Sequence, residues 1–390
     1  MAVPTQQSLI GPGSEQPGER LDELDHLLVT ALQTAPRADW RSIGAALDVA
    51  PTTAARRWAR LTSAGLAWMS CYPAQVEGQP LPSAFIEIDC RPGRIGEVAA
   101  ELAGDCNVLS LEQQTGRRDL LVNAVFLDQA QLGRYLSLRL GRLPGVAGAR
   151  AELTLVLHTN ASRWRLDRLG DRRLAALARR RPRPAPTSEH RPIGSVLQRD
   201  LPLVRALGLD PRQPVARLAE RTGLSPATVR RRLDALDADE AVIYRCDVAR
   251  GRSGWPVSVS LWCSAPPARA ARDAEALSRF RETRMCAEVT GRSNILLTAW
   301  LRSIEELPGF EARIGGSCPE LTVDDKAVTV WPMKLGGQLL DPRGRGLGAI
   351  PLWAWSEGEP YQAADAAERE LVGRLRAAAV IPSGPAGPWG

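Results

Sequence analysis

The feature that most constrains the fold is an internal repeat at a constant offset of 175 residues. Residues 50–57 lie over residues 225–232 with the proline, one threonine and two arginines unchanged, and the Thr-Gly-Arg of residues 115–117 recurs at 290–292. Matches at one offset over so long a stretch predict two copies of a unit of ~140 residues, each long enough to form its own core.

Composition and charge exclude several classes of protein. The chain has 390 residues, a formal net charge of +6 and 5% aromatic residues, too few rings for a platform that stacks single-stranded nucleic acid. Its only two lysines, Lys326 and Lys334, do not lie in a Gly-Lys-Ser/Thr sequence, which excludes a P-loop. The seven cysteines form no C-x-x-C pair, so we expect no metal site and no disulfide framework. We also expect no cofactor.

Neither a membrane span nor a secretory signal is visible in the sequence. No apolar run approaches the ~18–20 residues that cross a bilayer. Residues 1–20 are polar, rich in glycine and proline, and lack the charged-then-apolar pattern of a signal peptide. We therefore expect a cytoplasmic protein whose residues 1–20 form a disordered leader.

The surplus of positive charge is concentrated in one stretch. Residues 163–191 contain ten arginines against three acidic residues, and residues 179–192 are also rich in proline, which favours extended backbone. We predict a basic linker between the two halves at residues 161–195. Two interpretations stay open: the linker is simply solvated, or it also contacts phosphates.

Each unit begins with three short helical patterns, the last two joined by a tight turn. Pro51 and Pro226 suit the first position of the third helix, and Ser225 suits its N-cap. Pro202 stands where the first unit has Leu27, so we expect the first helix of the second unit to start late.

The third helix of each unit has the composition of a DNA-reading helix. Small hydroxyl residues near its start permit close approach to base edges, and arginine binds guanine or phosphate. The alternative is a three-helix packing module with an ordinary charged face. The residues predicted to contact double-stranded DNA are Thr52, Thr53, Arg56, Arg57, Arg60, Ser225, Ala227, Thr228, Arg230, Arg231 and Arg232.

After the helices, each unit changes to strand patterns in the order βαββαβ, the ferredoxin-like arrangement. Asp128 is predicted to cap a helix, and Ser303 with Glu306 forms a capping-box pattern at the equivalent place. Residues 341–355 are predicted to be loop-like, and residues 363–378 to form an amphipathic helix.

The predicted fold class is α+β: two copies of a winged or three-helix helix-turn-helix domain, each followed by a ferredoxin-like domain. The predicted divisions of the chain are residues 1–20, leader; 21–72, first helix-turn-helix domain; 80–160, first ferredoxin-like domain; 161–195, linker; 196–248, second helix-turn-helix domain; 255–335, second ferredoxin-like domain; and 336–390, C-terminal tail with a helix.

This organisation, with Thr-Gly-Arg-Arg-Asp at residues 115–119 in a hairpin and Leu-Pro-Gly-Val at 143–146 before the last strand, resembles the Lrp/AsnC family of transcriptional regulators. The likeness covers residues 21–160 and 196–335. It implies a DNA-binding repressor or activator that responds to a small effector, often an amino acid, and that forms homo-oligomers through its βαββαβ sheets.

The resemblance also implies an effector site near the hairpin loops. Gly116 and Gly291 permit a positive φ there, and Asp119 can accept a hydrogen bond. The alternative is that these residues only shape a hairpin. Asn294 replaces the acid in the second unit, which weakens the likeness there. The effector-loop positions carried over are Thr115, Gly116, Arg117, Asp119, Thr290, Gly291, Arg292 and Asn294.

Two units in one chain predict an internal pseudo-dimer. Because its two reading helices differ, we hypothesise an operator with two unlike half-sites.

One alternative is an enzyme resembling the sirohaem decarboxylases, which also have paired units and use histidine and arginine around a tetrapyrrole. His26, His158 and His190 lie in separate elements, so we predict no enzyme. Another alternative is an effector-sensing interaction protein that no longer binds DNA.

Overall fold

The computed structural model describes residues 21–74, 81–162, 164–166, 170, 173, 177, 193–353 and 359–378. The predicted leader and most of the predicted linker lie outside these residues. The described part mixes helices and strands, which confirms the predicted α+β content. No described helix is long and apolar enough to cross a membrane.

The first half of the chain runs from three helices into a strand and then a βαββαβ sheet. Its elements are α1 (Glu23–Thr34), α2 (Trp40–Leu47), α3 (Pro51–Ser63), β1 (Ala67–Pro73), β2 (Ser83–Cys90), α4 (Ile95–Ala103), β3 (Val108–Gln114), β4 (Leu120–Val125), α5 (Gln129–Arg134) with a π-helical continuation (Tyr135–Leu140), and β5 (Val146–Thr159).

The second half follows the same order and then continues into a tail. Its elements are α6 (Ile193–Leu209), α7 (Val215–Thr222), α8 (Pro226–Ala238), β6 (Val242–Val248), β7 (Val257–Ser264), α9 (Ala270–Ser278), β8 (Thr283–Val289), β9 (Ile295–Leu301), α10 (Leu307–Ser317), β10 (Thr322–Leu335), β11 (Gln338–Leu340), β12 (Gly346–Ala349) and α11 (Glu359–Ala378).

Local side-chain chemistry sets where the reading helices begin. Pro51 and Pro226 occupy the first turns of α3 and α8, as predicted. The Ser225 hydroxyl accepts a hydrogen bond from the backbone N–H of Thr228 at 3.2 Å, which satisfies a donor that the helix leaves open. The preceding helices both end in a left-handed residue, Asp48 with φ 58° and Gly223 with φ 68°, so the two tight turns have the same backbone path.

Two predictions about helix starts are wrong. α6 does not start late: it begins at Ile193 and carries Pro202 in its interior. Leu203 is fully buried directly after the proline, so tertiary packing offsets the one backbone hydrogen bond that proline removes. Ser303 forms no capping box, because the Glu306 carboxylate accepts from the backbone N–H of Arg302 at 2.9 Å.

The two three-helix domains are joined by an antiparallel ribbon of β1 and β6, in register from Ala67 opposite Val248 to Pro73 opposite Val242. Each strand also packs on the core of the other half. Cys246 of β6 is buried in the core of α1–α3, and Cys71 of β1 is buried in the core of α6–α8. The ribbon therefore locks the two domains together.

Reciprocal hydrogen bonds add a second link between these domains. The Arg37 guanidinium donates to the carbonyl oxygen of Pro211. At the equivalent place in the other half, Arg212 donates to the carbonyl oxygens of Pro36 at 2.6 Å and Ala38 at 2.9 Å. The arrangement is that of a pseudo-two-fold axis, with each half contributing the same residue to the other.

The sheets of the two halves close on each other. The strand order is β3-β4-β2-β5 in the first half and β8-β9-β7-β10 in the second. Both last strands are long: β5 pairs with β2 and then with β8, and β10 pairs with β7 and then with β3. Eight strands therefore form a closed ring, in which each half supplies the edge partner of the other.

Apolar residues fill both sides of this ring. The helices α4 and α5 cover one outer face, and α9 and α10 cover the other. Between the sheets lies a smaller cluster from both halves, which includes Phe85, Leu121, Trp262 and Leu296.

The C-terminal tail runs back over both kinds of domain. Residues 341–355, predicted as loop, contain β12, and the backbone N–H of Gly346 in β12 donates to the carbonyl oxygen of Gly65 at 2.8 Å. The N–H of Trp353 donates to the carbonyl oxygen of Cys106 at 2.9 Å. The helix predicted at residues 363–378 is present as α11, whose Glu368 pairs with Arg134 of α5 at 3.0 Å.

Candidate nucleic-acid interface and effector domain

The reading helices present part of the predicted DNA-contact set to solvent. Buried residues such as Leu61 of α3 and Leu236 of α8 hold the inner faces against the three-helix cores. Thr53 and Thr228 are half-buried. The predicted contact residues that are exposed are Thr52, Arg56, Ser225, Ala227, Arg230 and Arg231.

Two arginines of α3 are bound inside their own domain. Asp25 of α1 is fully buried, and its carboxylate accepts from Arg57 at 2.9 Å and from Arg60. Arg57 also donates to Asp22 at 2.7 Å, and that hydrogen bond raises the pKa of the guanidinium. The carboxylates thus fix α3 against α1.

The second half contains the equivalent ion pair. Asp200 of α6, also fully buried, lies 2.8 Å from Arg232 of α8 and 2.9 Å from Arg199. Arg57, Arg60 and Arg232 were predicted to contact DNA, but the structure engages their guanidinium groups in these pairs. The signal for this role was in the repeat itself, because an aspartate precedes the arginine by the same distance in both units.

The hairpin threonines close the ring of strands. The N–H of Thr115 donates to the carbonyl oxygen of Val328 in β10, and the Thr115 hydroxyl accepts from the N–H of Val328, both at 2.9 Å. Thr290 makes the same pair of bonds with Leu153 of β5, at 2.9 and 2.8 Å. Each loop is thereby attached to the last strand of the other half.

The remaining effector-loop positions divide into supporting and exposed residues. Asp119 accepts from the N–H of Cys90 at 2.7 Å, and Asn294 accepts from the N–H of Ala265 at 2.9 Å. The amide of Asn294 also donates to the carbonyl oxygen of Ala265 at 2.9 Å, a bond that a carboxylate cannot make. Gly116 and Gly291 have φ of 92° and 119°, as predicted for the turn. Arg117 and Arg292 are exposed at the loop tips.

The sequence reasoning missed a buried charged cluster between the sheets. Arg118, next to the predicted loop residues, lies 3.6 Å from the ring centre of Trp262. Its guanidinium pairs with Glu87 at 2.8 Å and with Asp325 of the other half at 2.6 Å. Nearby, burial raises the pKa of Glu152 to about 7, and this carboxylate lies against Gly291.

A second buried cluster connects the ribbon to the sheets. Asp247 of β6 accepts from Arg245 at 2.9 Å and from Arg284 of β8 at 3.3 Å. The Arg284 guanidinium lies 3.7 Å from the ring centre of Trp300 and 4.5 Å from that of Trp164. Burial lowers the pKa of Arg284 to about 9. No pattern of local spacing points to this cluster, because its members come from distant elements.

The histidines do not assemble into one site in the described residues. His26 Nε2 lies 3.2 Å from the carbonyl oxygen of Arg252, and His158 lies 2.7 Å from Glu288. His190 is outside the described residues. Those residues also hold no group of three or more His, Cys, Asp or Glu side chains placed to bind a metal ion.

Family comparisons match both domain types. The AsnC-type helix-turn-helix domain matches residues 21–62 and 199–237, and the Lrp/AsnC ligand binding domain matches residues 83–160. Two regions of the chain are therefore similar to the AsnC-type helix-turn-helix domain, and one region is similar to the Lrp/AsnC ligand binding domain. The first helix-turn-helix match ends in the last turn of α3, and the ligand-binding-domain match starts with β2 and ends just after β5.

The curated proteins to which this chain is similar include transcriptional regulators of one unit's length. The HTH-type transcriptional regulator FL11 of Pyrococcus horikoshii is 28% identical over 141 residues, which are 35% of this chain and 91% of that protein. The HTH-type transcriptional regulator Ptr1 of Methanocaldococcus jannaschii is 28% identical over 142 residues, 36% of this chain and 93% of that protein.

Solved structures give weaker likenesses. The siroheme decarboxylase NirDL aligns with 91% of this chain and 100% of its own, at 12% identity and a TM-score of 0.49. Escherichia coli AsnC aligns with 35% of this chain and 93% of its own, at 17% identity and a TM-score of 0.29.

Proposed function

We propose that this chain is a sequence-specific DNA-binding transcriptional regulator modulated by a small effector, in which the two units act as an internal pair. The observation that carries the proposal is the pair of arginine-bearing helices α3 and α8. Their two domains are linked by the β1–β6 ribbon and by the hydrogen bonds of Arg37 and Arg212. Two linked helices of this kind fit two half-sites on one face of a duplex.

Arginine placement, more than total charge, supplies the affinity in this proposal. Arg56 of α3 and Arg230 and Arg231 of α8 are exposed, and no ion pair engages them among the described residues. A free guanidinium can donate two hydrogen bonds to a guanine or bind a phosphate.

The effector in this proposal binds the sheet domains near the hairpins that carry Arg117 and Arg292. An amino acid is the class that the family resemblance favours. Because Thr290 is bonded to β5, and β8 meets Asp247 of the ribbon through Arg284, a change at a hairpin has a packed route to the reading helices. A cytoplasmic location and the absence of enzymatic activity belong to the same proposal. Homo-oligomers through the βαββαβ sheets do not, because β5 pairs with β8 and β10 with β3 inside one chain.

The test measures binding of the full chain to the DNA upstream of its own gene by fluorescence anisotropy at several salt concentrations. We expect Arg56→Ala and Arg231→Ala each to weaken binding by about 1–3 kcal/mol. Arg272→Ala is the matched control, because Arg272 is exposed on α9, away from the reading helices.

Two results would contradict the proposal. Unchanged DNA affinity in both reading-helix variants would show that α3 and α8 do not form the DNA interface. Absence of salt-dependent duplex binding in the unaltered chain would favour an interaction protein that no longer binds DNA. A Soret band on addition of sirohaem or haem would instead favour the tetrapyrrole enzyme.

A further inference from the structure

The two reading helices are equivalent in position but not in chemistry. The ion pairs with Asp25 and Asp200 occupy the equivalent arginines Arg57 and Arg232 on the inner side of each helix. The outward face of each helix is a row at spacings of four and three residues, which lie on one side of an α-helix. These rows are Thr52, Arg56 and Ala59 in α3, and Ala227, Arg231 and Asp234 in α8.

The two rows make three equivalent pairs, of which one is identical and two differ. The identical pair is the central arginine, Arg56 in α3 and Arg231 in α8. The rows differ most at the third position, where α3 has Ala59 and α8 has Asp234. Arg56, Arg231, Ala59 and Asp234 are all exposed, and among the described residues none of the three charged groups forms an ion pair. The carboxylate of Asp234 is therefore available to an external donor.

Base chemistry distinguishes the two third positions. In the major groove, cytosine presents its N4 amino group as a donor, and a carboxylate is the side chain that accepts from it. A methyl group such as that of Ala59 makes no hydrogen bond with any base, and the base group that it can contact is the methyl group of thymine. A carboxylate also gains nothing from the phosphate backbone, because both carry negative charge.

We propose that Asp234 is a specificity-determining residue that selects a cytosine in the half-site bound by α8, whereas Ala59 confers no cytosine preference at the equivalent position of the half-site bound by α3. This inference rests on the proposed DNA-binding function. It predicts an operator whose half-sites share the guanine read by Arg56 and Arg231 and differ at one defined position.

The test selects bound duplexes from a random pool with the full-length chain and sequences them. The unaltered chain is expected to recover two half-sites with a common guanine and a cytosine preference in one of them. That preference should be about tenfold or more over the other bases, the scale of one good base contact. Asp234→Ala should abolish it while leaving the common guanine and the other half-site unchanged.

Ala59→Asp is the mirror variant, because it places the same carboxylate at the equivalent exposed position of α3. We expect it to create the cytosine preference in the other half-site, so that the selected operator becomes closer to a palindrome. Gain of a preference is not expected from loss of folding, so this variant keeps the inference testable even where Asp234→Ala binds weakly.

Three outcomes would overturn the inference: identical half-sites selected by the unaltered chain, an unchanged cytosine preference in Asp234→Ala, or a uniform rise in affinity for every sequence in that variant. The last result would mean that Asp234 only repels phosphate. Failure of the proposed function looks different, because the unaltered chain would then enrich no sequence and bind no duplex in a salt-dependent manner.

Discussion

Single residues explain why the reading helices stay in place without help from DNA. Asp25 and Asp200 occupy equivalent positions in the two halves, both are fully buried, and both bind an arginine from the reading helix. The exposed fraction of the arginine side chain is 28% for Arg57 and 22% for Arg232. Each ion pair therefore joins a carboxylate that is shielded from water to a guanidinium at the domain surface.

We expect Asp25→Asn to lower the free energy of unfolding of its domain by about 1–3 kcal/mol, because the charged hydrogen bonds to Arg57 and Arg60 are lost. Asp200→Asn should act similarly on the second domain. Urea unfolding followed by circular dichroism measures the change. Arg56→Ala is the control, since an exposed side chain without an ion pair is worth about 0.5 kcal/mol or less. Equal stability of Asp25→Asn and this control would contradict the structural role.

Elements differ in how far the sequence predicts them. Helix starts marked by Pro51, Pro226 and Ser225 follow from local rules, and the order βαββαβ in each half is the one that the pattern predicts. The prediction that α6 starts late was wrong. Proline disfavours a helix interior, but burial of the residues around Pro202 outweighs that preference. The pairing of β5 with β8 was not predictable, since no local pattern specifies which distant strand a long strand will meet.

The same limit applies to the candidate site. The exposed residues Arg56, Arg117 and Arg231 were found from motif and spacing. The role of Asp119 as a support for β2, and the position of Arg118 between the sheets, depend on residues that come together only after folding.

At the junctions between strands of the two halves, the hairpin threonines give a matched pair of tests. Thr290→Val removes the hydroxyl that accepts from the N–H of Leu153, a partly buried donor, while Thr115→Val removes the acceptor for the N–H of Val328, which is exposed. An unpaired donor costs about 1–3 kcal/mol only where water cannot replace the lost partner. We therefore expect Thr290→Val to lower the thermal unfolding midpoint more than Thr115→Val; the reverse order would contradict this view of the junctions.

On the scale of the whole molecule, the closed ring of eight strands changes how the chain meets DNA. The interface through which the family resemblance implies that separate chains pair is occupied here by the two halves of one chain, through β5 with β8 and β10 with β3. The ribbon and the paired arginines Arg37 and Arg212 use the corresponding surfaces of the helical domains in the same way.

Because both reading helices come from one chain, occupation of two half-sites needs no prior association step, and the second contact is intramolecular. We expect one chain per operator duplex and a binding curve without cooperativity, with an unfolding midpoint that does not move over about a hundredfold range of protein concentration. Sedimentation of the chain with a labelled operator measures the stoichiometry, and a duplex with only one half-site is the control, which should bind at least tenfold more weakly. Two chains on one operator, or a sigmoidal curve, would mean that the internal pair is not the unit that reads DNA.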